Sequence, residues 1–135
     1  ALQGHFPTVR DVVCWPFLFH CVVQMRKEFD EQPRQVMMAV FGHEPYLVRY
    51  CVVVDEDVDI YDPEDVQWAL ATRCRPDEGA LIVPDVPSFA RDPHRRLWGR
   101  LGLDATVPLQ ARADFERKRI PGGEEINLSD YLGKE

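Results

Sequence analysis

Apolar runs alternate along the chain with runs spaced for helices, and this alternation predicts a three-layer α/β/α domain on a mostly parallel sheet. The pattern places a short strand at Val9–Cys14. Over 18–26, Phe19, Cys21, Val23 and Met25 fall on one face at period two, and His20, Gln24 and Arg26 on the other, which predicts a strand with one buried and one mixed face. Pro33 suits the first turn of a helix whose apolar stripe is Val36, Met37, Val40 and Phe41, with Gly42 as its stop. The β-branched run at 50–54 predicts a central strand covered on both sides.

The next helix has the clearest start. Asp62 is a good N-cap, Pro63 sits at N1, and Glu64 and Asp65 put negative charge at the positive end of the helix dipole. Val66, Ala69, Leu70 and Cys74 then repeat at helical spacing until Pro76 ends the helix. A short strand is expected at 80–83. Beyond it, Pro84, Pro87, Pro93 and Pro108, with Gly99 and Gly102 between them, predict extended loops with one helical turn near 95–101. Further helix is expected at 110–118 and, capped by Asn127, at 127–132.

Length narrows this picture to a single domain over 1–135, since a chain of roughly 100–150 residues closes one hydrophobic core. A composition of 45% hydrophobic and 29% charged residues is that of a folded globular chain. The net charge of −7 argues against a nucleic-acid partner. No apolar run approaches the roughly 20 residues that span a bilayer. The start Ala1-Leu2-Gln3-Gly4 has no initiator Met, basic n-region or signal-peptide core and is expected of a fragment or processed chain.

Candidate chemistry is sparse. Cys14, Cys21, Cys51 and Cys74 form no C-x-x-C pair and sit in apolar runs, so each is expected to be a buried structural thiol, as in a reducing cytoplasm. Asp55, Asp57 and Asp59 occupy the first, third and fifth positions of a calcium loop, but Ile60 stands where that loop needs Gly and Val66 where it needs Glu. The simpler expectation is that these carboxylates end a strand, cap a helix and pair with Arg73 or Arg75; loosely held Mg²⁺ in a stand-alone metal-binding module is the other reading. His5, His20, His43 and His94 have no zinc spacing, and His43 beside Glu44 is the most site-like of them. Aromatic residues gather at Trp15, Phe17, Phe19 and Phe29 and again at Phe89 and Trp98, which fits a pocket wall, a core or a subunit interface equally. Spacing alone assembles no catalytic set.

The run VVVDEDVDIYDPEDVQWALATR at 52–73 resembles the C-terminal domain of the UbiD family of decarboxylases, with collinear support from FHCVVQMRK at 19–27, QPRQVMMA at 32–39 and LGLDAT at 101–106. The likeness covers about the first 106 residues; 107–135 match loosely, as an interface tail would. It implies the lid and oligomerisation portion of a carboxy-lyase that reversibly decarboxylates aromatic or unsaturated acids with prenylated FMN. In that family the flavin, a divalent metal (Mn or Mg), K⁺ and the catalytic Arg and Glu residues belong to a preceding domain. No catalytic residue, metal ligand or bound cofactor is therefore expected in this chain, which alone should be inactive. Implied partners are the flavin-binding domain or subunit, further copies of the chain in a homo-oligomer, and the acid substrate. By resemblance, Phe19, Val23 and Phe89 line the substrate pocket, and His43 lies where some members carry a Lys. The alternative is a non-catalytic assembly or regulatory subunit that retains this domain without the flavin site.

Overall fold

A computed structural model describes residues 2–44, 46–88 and 97–115. A short helix α1 (Leu2–His5) leads into the hairpin β1 (Val9–Cys14) and β2 (His20–Met25), followed by α2 (Gln32–His43), β3 (Tyr50–Asp55), α3 (Pro63–Arg73), α4 (Pro76–Gly79), β4 (Ala80–Pro87), β5 (Leu97–Ala105) and a 3-10 segment at Leu109–Phe115. The five strands lie in the order β1-β2-β3-β5-β4. The centre, β2-β3-β5, is parallel, and each edge adds an antiparallel strand, so the sheet is mixed.

The three layers follow from strand parity. Cys21, Val23, Met25, Cys51 and Val53 pack with Val36, Met37, Val40 and Phe41 of α2. The intervening Val22, Val52, Val54 and Ala105 pack on the other face with Val66 and Ala69 of α3 and with Val58 and Ile60. Both faces of β2 and β3 are therefore covered, and each enclosed valine contributes roughly 1.5–3 kcal/mol. Opposite α2, Gly102 of β5 lets the helix sit close, because a Cβ there would run into Met37 Sδ.

The helices largely follow their sequence signals. Asp62 caps α3 by accepting from the Glu64 amide at 3.0 Å. Arg73 is its last residue, and Pro76, expected as a stop, opens the single turn of α4. Gly42 does not end α2, which runs to His43 and closes with the Glu44 amide donating to Val40 O.

The loop expectation for 97–101 is overturned: these residues begin the nine-residue strand β5. The helix expected at 110–118 is a 3-10 segment as far as Phe115; 116–118, Arg95, Arg96 and the helix expected at 127–132 lie outside the described residues. β4 also continues past Pro84. It is an edge strand, where a missing N–H is tolerated, and a register shift between Val83 and Val86 absorbs Pro84 and Asp85, whose φ of 58° is in the left-handed region. Cys14 is exposed rather than buried, because it ends the edge strand β1. No helix among the described residues is long and apolar enough to cross a membrane.

Candidate functional site

The trailing ends of the parallel strands carry an ionic cluster. Asp55 ends β3, and its Oδ2 accepts from Arg73 Nη1 at 3.1 Å and from the Val107 amide at 2.9 Å. Arg73 also grips Asp57 with both Nη atoms, at 2.7 and 2.8 Å, and donates to Phe115 O at 3.1 Å. Just past β2, the buried Lys27 Nζ reaches Asp30 at 3.1 Å and Thr106 Oγ1 at 3.0 Å. The Leu109 amide donates to Asp30 Oδ1 at 3.0 Å. Four polar links thus tie the segment after β5 to the ends of β2, β3 and α3. The Asp57 bond holds the Arg73 guanidinium firmly charged, and burial pushes the Asp55 carboxyl up against the downward pull of Val107 and Arg73. The Leu109 amide and then Lys27 hold Asp30 below its ordinary value.

The acidic run therefore serves the fold. Asp65 Oδ2 accepts from the Asp59 amide, Asp59 Oδ1 accepts from the Tyr61 amide, and Asp62 caps α3. Among the described residues, no group of three or more His, Cys, Asp or Glu side chains is arranged to hold a metal ion. Arg75 pairs with Asp77 and Glu78 and takes no part in this cluster.

The leading ends of the same strands are aromatic. Phe17 and Phe19 stack at 6.0 Å in the turn before β2. Arg49, just ahead of β3, lies between two rings, 4.5 Å from the Phe19 centroid and 4.3 Å from that of Trp98. His20 sits 5.2 Å from Trp15 and 6.3 Å from Tyr50. Burial holds its imidazole below the ordinary value, and its Nδ1 is enclosed with no hydrogen-bond partner. Much of this edge faces outward: Phe17 is 68% exposed, Leu18 58% and Tyr50 44%. Contiguous apolar surface of this kind marks a place where another surface or a ligand packs.

The residues singled out in the sequence part company here. Phe19 is half-buried in the aromatic edge. Val23, at 0% exposure, lies in the core against α2 and presents no surface to a ligand. His43 is exposed at the end of α2. Phe89 lies outside the described residues. Phe29 follows β2 at the opposite, ionic end of the sheet and does not join the aromatic group. Sequence reasoning missed Arg49, although a cation between Val48 and Tyr50 at the mouth of a β-branched run was a visible signal. It also missed Lys27, two residues past the end of β2, and Thr106, which directly follows β5.

Two cavities, of about 170 and 560 Å³, open at the ionic ends of the strands. In the larger one Lys27, Arg34, Arg73 and Arg75 face Asp30, Glu31, Glu78 and Asp104. A flavin needs a flat apolar slot with donors gathered at the phosphate, so this alternation of paired opposite charges does not fit one.

Fold and site together define an α/β module with an ion-paired edge and an exposed aromatic edge. Residues 1–105 match the family described as the 3-octaprenyl-4-hydroxybenzoate carboxy-lyase C-terminal domain, and the chain belongs to that family, UbiD_C. It is 39% identical over 127 residues to the anhydromevalonate phosphate decarboxylase of Aeropyrum pernix, covering 90% of this chain and 29% of that protein. Among solved structures, the UbiD-class enzyme HmfF from Pelotomaculum thermopropionicum in complex with FMN superposes with a TM-score of 0.84 at 35% identity, covering 97% of this chain and 31% of that one. An evolved dimeric form of HmfF in complex with prFMN gives 0.73 at 34% identity, with 97% and 28% covered. The chain thus spans less than a third of the length of these relatives.

Proposed function

We propose that this domain is the lid and docking portion of a UbiD-type carboxy-lyase, working on a carboxylic acid held against prenylated FMN in another part of the protein. Family membership and the exposed aromatic edge support this reading, and the edge is the observation that carries it. Phe17, Phe19 and the Arg49–Trp98 stack present a rigid, largely apolar surface suited to covering a flavin-bound acid or packing on its pocket. Bound elsewhere, with its divalent metal and K⁺, the flavin supplies the electron sink. This chain's residues orient the acid and exclude water on closing. Phe19 acts as pocket wall; Val23 supports β2 from the core; His43 stands next to the same pocket, and the family resemblance gives Phe89 a role in covering the acid. The substrate is an aromatic or unsaturated acid, the assembly a homo-oligomer and the compartment the cytoplasm, in keeping with four unpaired thiols.

Mixing experiments test this. The chain alone, with prenylated FMN and metal added, is expected to give no turnover, and addition of the separately produced flavin-binding portion to restore it. Phe19→Ala should then lower kcat/KM at least tenfold while leaving association intact. Turnover by the lone chain would overturn the proposal. Association without any gain in activity would also overturn it, in favour of a regulatory or assembly role.

A further inference from the structure

Three of the cysteines stand in a row across the sheet. Cys14 of β1 is the register partner of Cys21 in β2, and Cys21 is the register partner of Cys51 in β3. Residue 15 hydrogen-bonds across the hairpin, its amide donating to His20 O at 3.2 Å, so the adjacent 14–21 pair falls at a non-hydrogen-bonded position. Opposed Cα atoms at such positions lie about 4.5 Å apart with their side chains drawn together. That spacing is inside the roughly 4.4–6.8 Å range a disulfide accepts. Register partners present their side chains on one face of the sheet, and the Cys51 and Cys14 thiols both bear on the thiol of Cys21. Accessibility separates the two possible pairs. Cys14 is exposed, whereas Cys21 and Cys51 are 3% and 0% exposed, so an oxidant reaches the row only through Cys14.

We propose that Cys14 and Cys21 are a reversible cross-strand disulfide site, oxidised by low-molecular-weight disulfides. The Cys14 thiolate attacks one sulfur of the small disulfide, forming a mixed disulfide and expelling one small thiolate. Cys21 then loses its proton to water and its sulfur attacks that of Cys14, expelling the second small thiolate. Two protein thiols and one small disulfide thus become one protein disulfide and two small thiols, with two electrons passed. The bond would staple edge strand β1 to β2 at the base of the turn that carries Phe17 and Phe19.

Burial, then Cys21, then Glu44 after α2 push the Cys14 thiol up to about 11. Exchange is therefore slow at neutral pH and accelerates about tenfold per pH unit as the thiolate forms.

The test is incubation of the reduced full chain with glutathione disulfide at pH 8.5, followed by thiol counting and non-reducing peptide mapping. The expected result is a fall from four free thiols to two, one linked peptide joining Cys14 to Cys21, and a rise of roughly 5 °C or more in the unfolding midpoint, all reversed by dithiothreitol. Cys14→Ser should abolish the link, and Cys74→Ser, on the α3 side of the sheet, should leave it. Four persistent thiols, a glutathione adduct that stays on Cys14, or a bridge mapped to any other pair would overturn the proposal.

Discussion

At the trailing edge of the parallel strands the buried cations are held by neighbouring groups: Asp55 and Asp57 hold Arg73, and Asp30 and Thr106 hold Lys27. At the leading edge, about six residues away along the same strands, Phe17, Leu18 and Tyr50 turn apolar surface outward. A polar cluster whose charges are already paired within the chain gains less from a ligand than uncovered rings gain from whatever buries them. Conspicuous charge in the sequence therefore marks the part of the molecule that holds itself together, and less conspicuous aromatic residues mark the part that meets something else.

The largest expected effect breaks the ionic edge. The Arg73 side chain is 2% exposed, and Arg73→Met removes the partner of Asp55, whose own side chain is 12% exposed. Stranding a buried carboxylate costs about 3–5 kcal/mol, and the half-exposed Asp57 should keep the loss near the lower figure. Urea unfolding of the single variant, and of Arg73→Met with Asp55→Asn, measures it; the double variant is expected to recover part of the loss. A loss under about 1 kcal/mol would mean that this edge is not internal scaffolding.

Arg49→Lys probes the other edge with a smaller expected cost. The guanidinium between Phe19 and Trp98 is replaced by a compact ammonium that cannot stack on both rings. Each cation–π contact contributes roughly 0.5–1 kcal/mol at a partly exposed site, so unfolding should shift by about 1 kcal/mol. In the assembled enzyme, kcat/KM should fall by more than the stability change alone accounts for. If stability falls as far as in Arg73→Met, the edge is structural and the contrast between the two ends fails.

Legibility in the sequence followed the same divide. β3 and α3 could be read because their signals are local: a β-branched run, and Asp62-Pro63 ahead of two acids. β5 could not, because Gly99 and Gly102 look like loop breakers, yet Gly102 is small so that Met37 can lie against it, a requirement set by a helix about sixty positions away. The alternation Leu97, Leu101, Leu103, Ala105 is present, but Gly99 interrupts it. Arg73 and Asp55 were foreseeable as a pair from charge. The Arg49 stack joins three distant positions, and the local sign, a cation between Val48 and Tyr50, does not say which rings it meets. Val23 shows a further limit: period two assigns it to the same face as Phe19, but one strand passes from an open end into the core, so face alone does not tell pocket wall from core.

The smallest expected effect is a pH dependence that separates the edges by where it occurs. Burial lowers the folded-state pKa of His20 from the ordinary 6.5, so the fold favours neutral imidazole. The resulting stability is fully present above 6.5 and is lost as pH falls from there through the folded value. Asp30 is also lowered, from 3.8, by the Leu109 amide and Lys27; its contribution survives until pH falls below 3.8 and then through its folded value. Asp55, raised by burial, titrates above 3.8 with the opposite sign and does not loosen its edge on mild acidification. In the window just below pH 6.5 the aromatic edge should therefore weaken while the ionic edge holds. An NMR titration should give a His20 midpoint below 6.5, and His20→Gln should flatten the stability profile there and leave it unchanged below pH 3.8. A profile in which both edges lose protection from hydrogen exchange together across the higher window would show the sheet responding as one unit, with His20 coupled through β2 to Lys27.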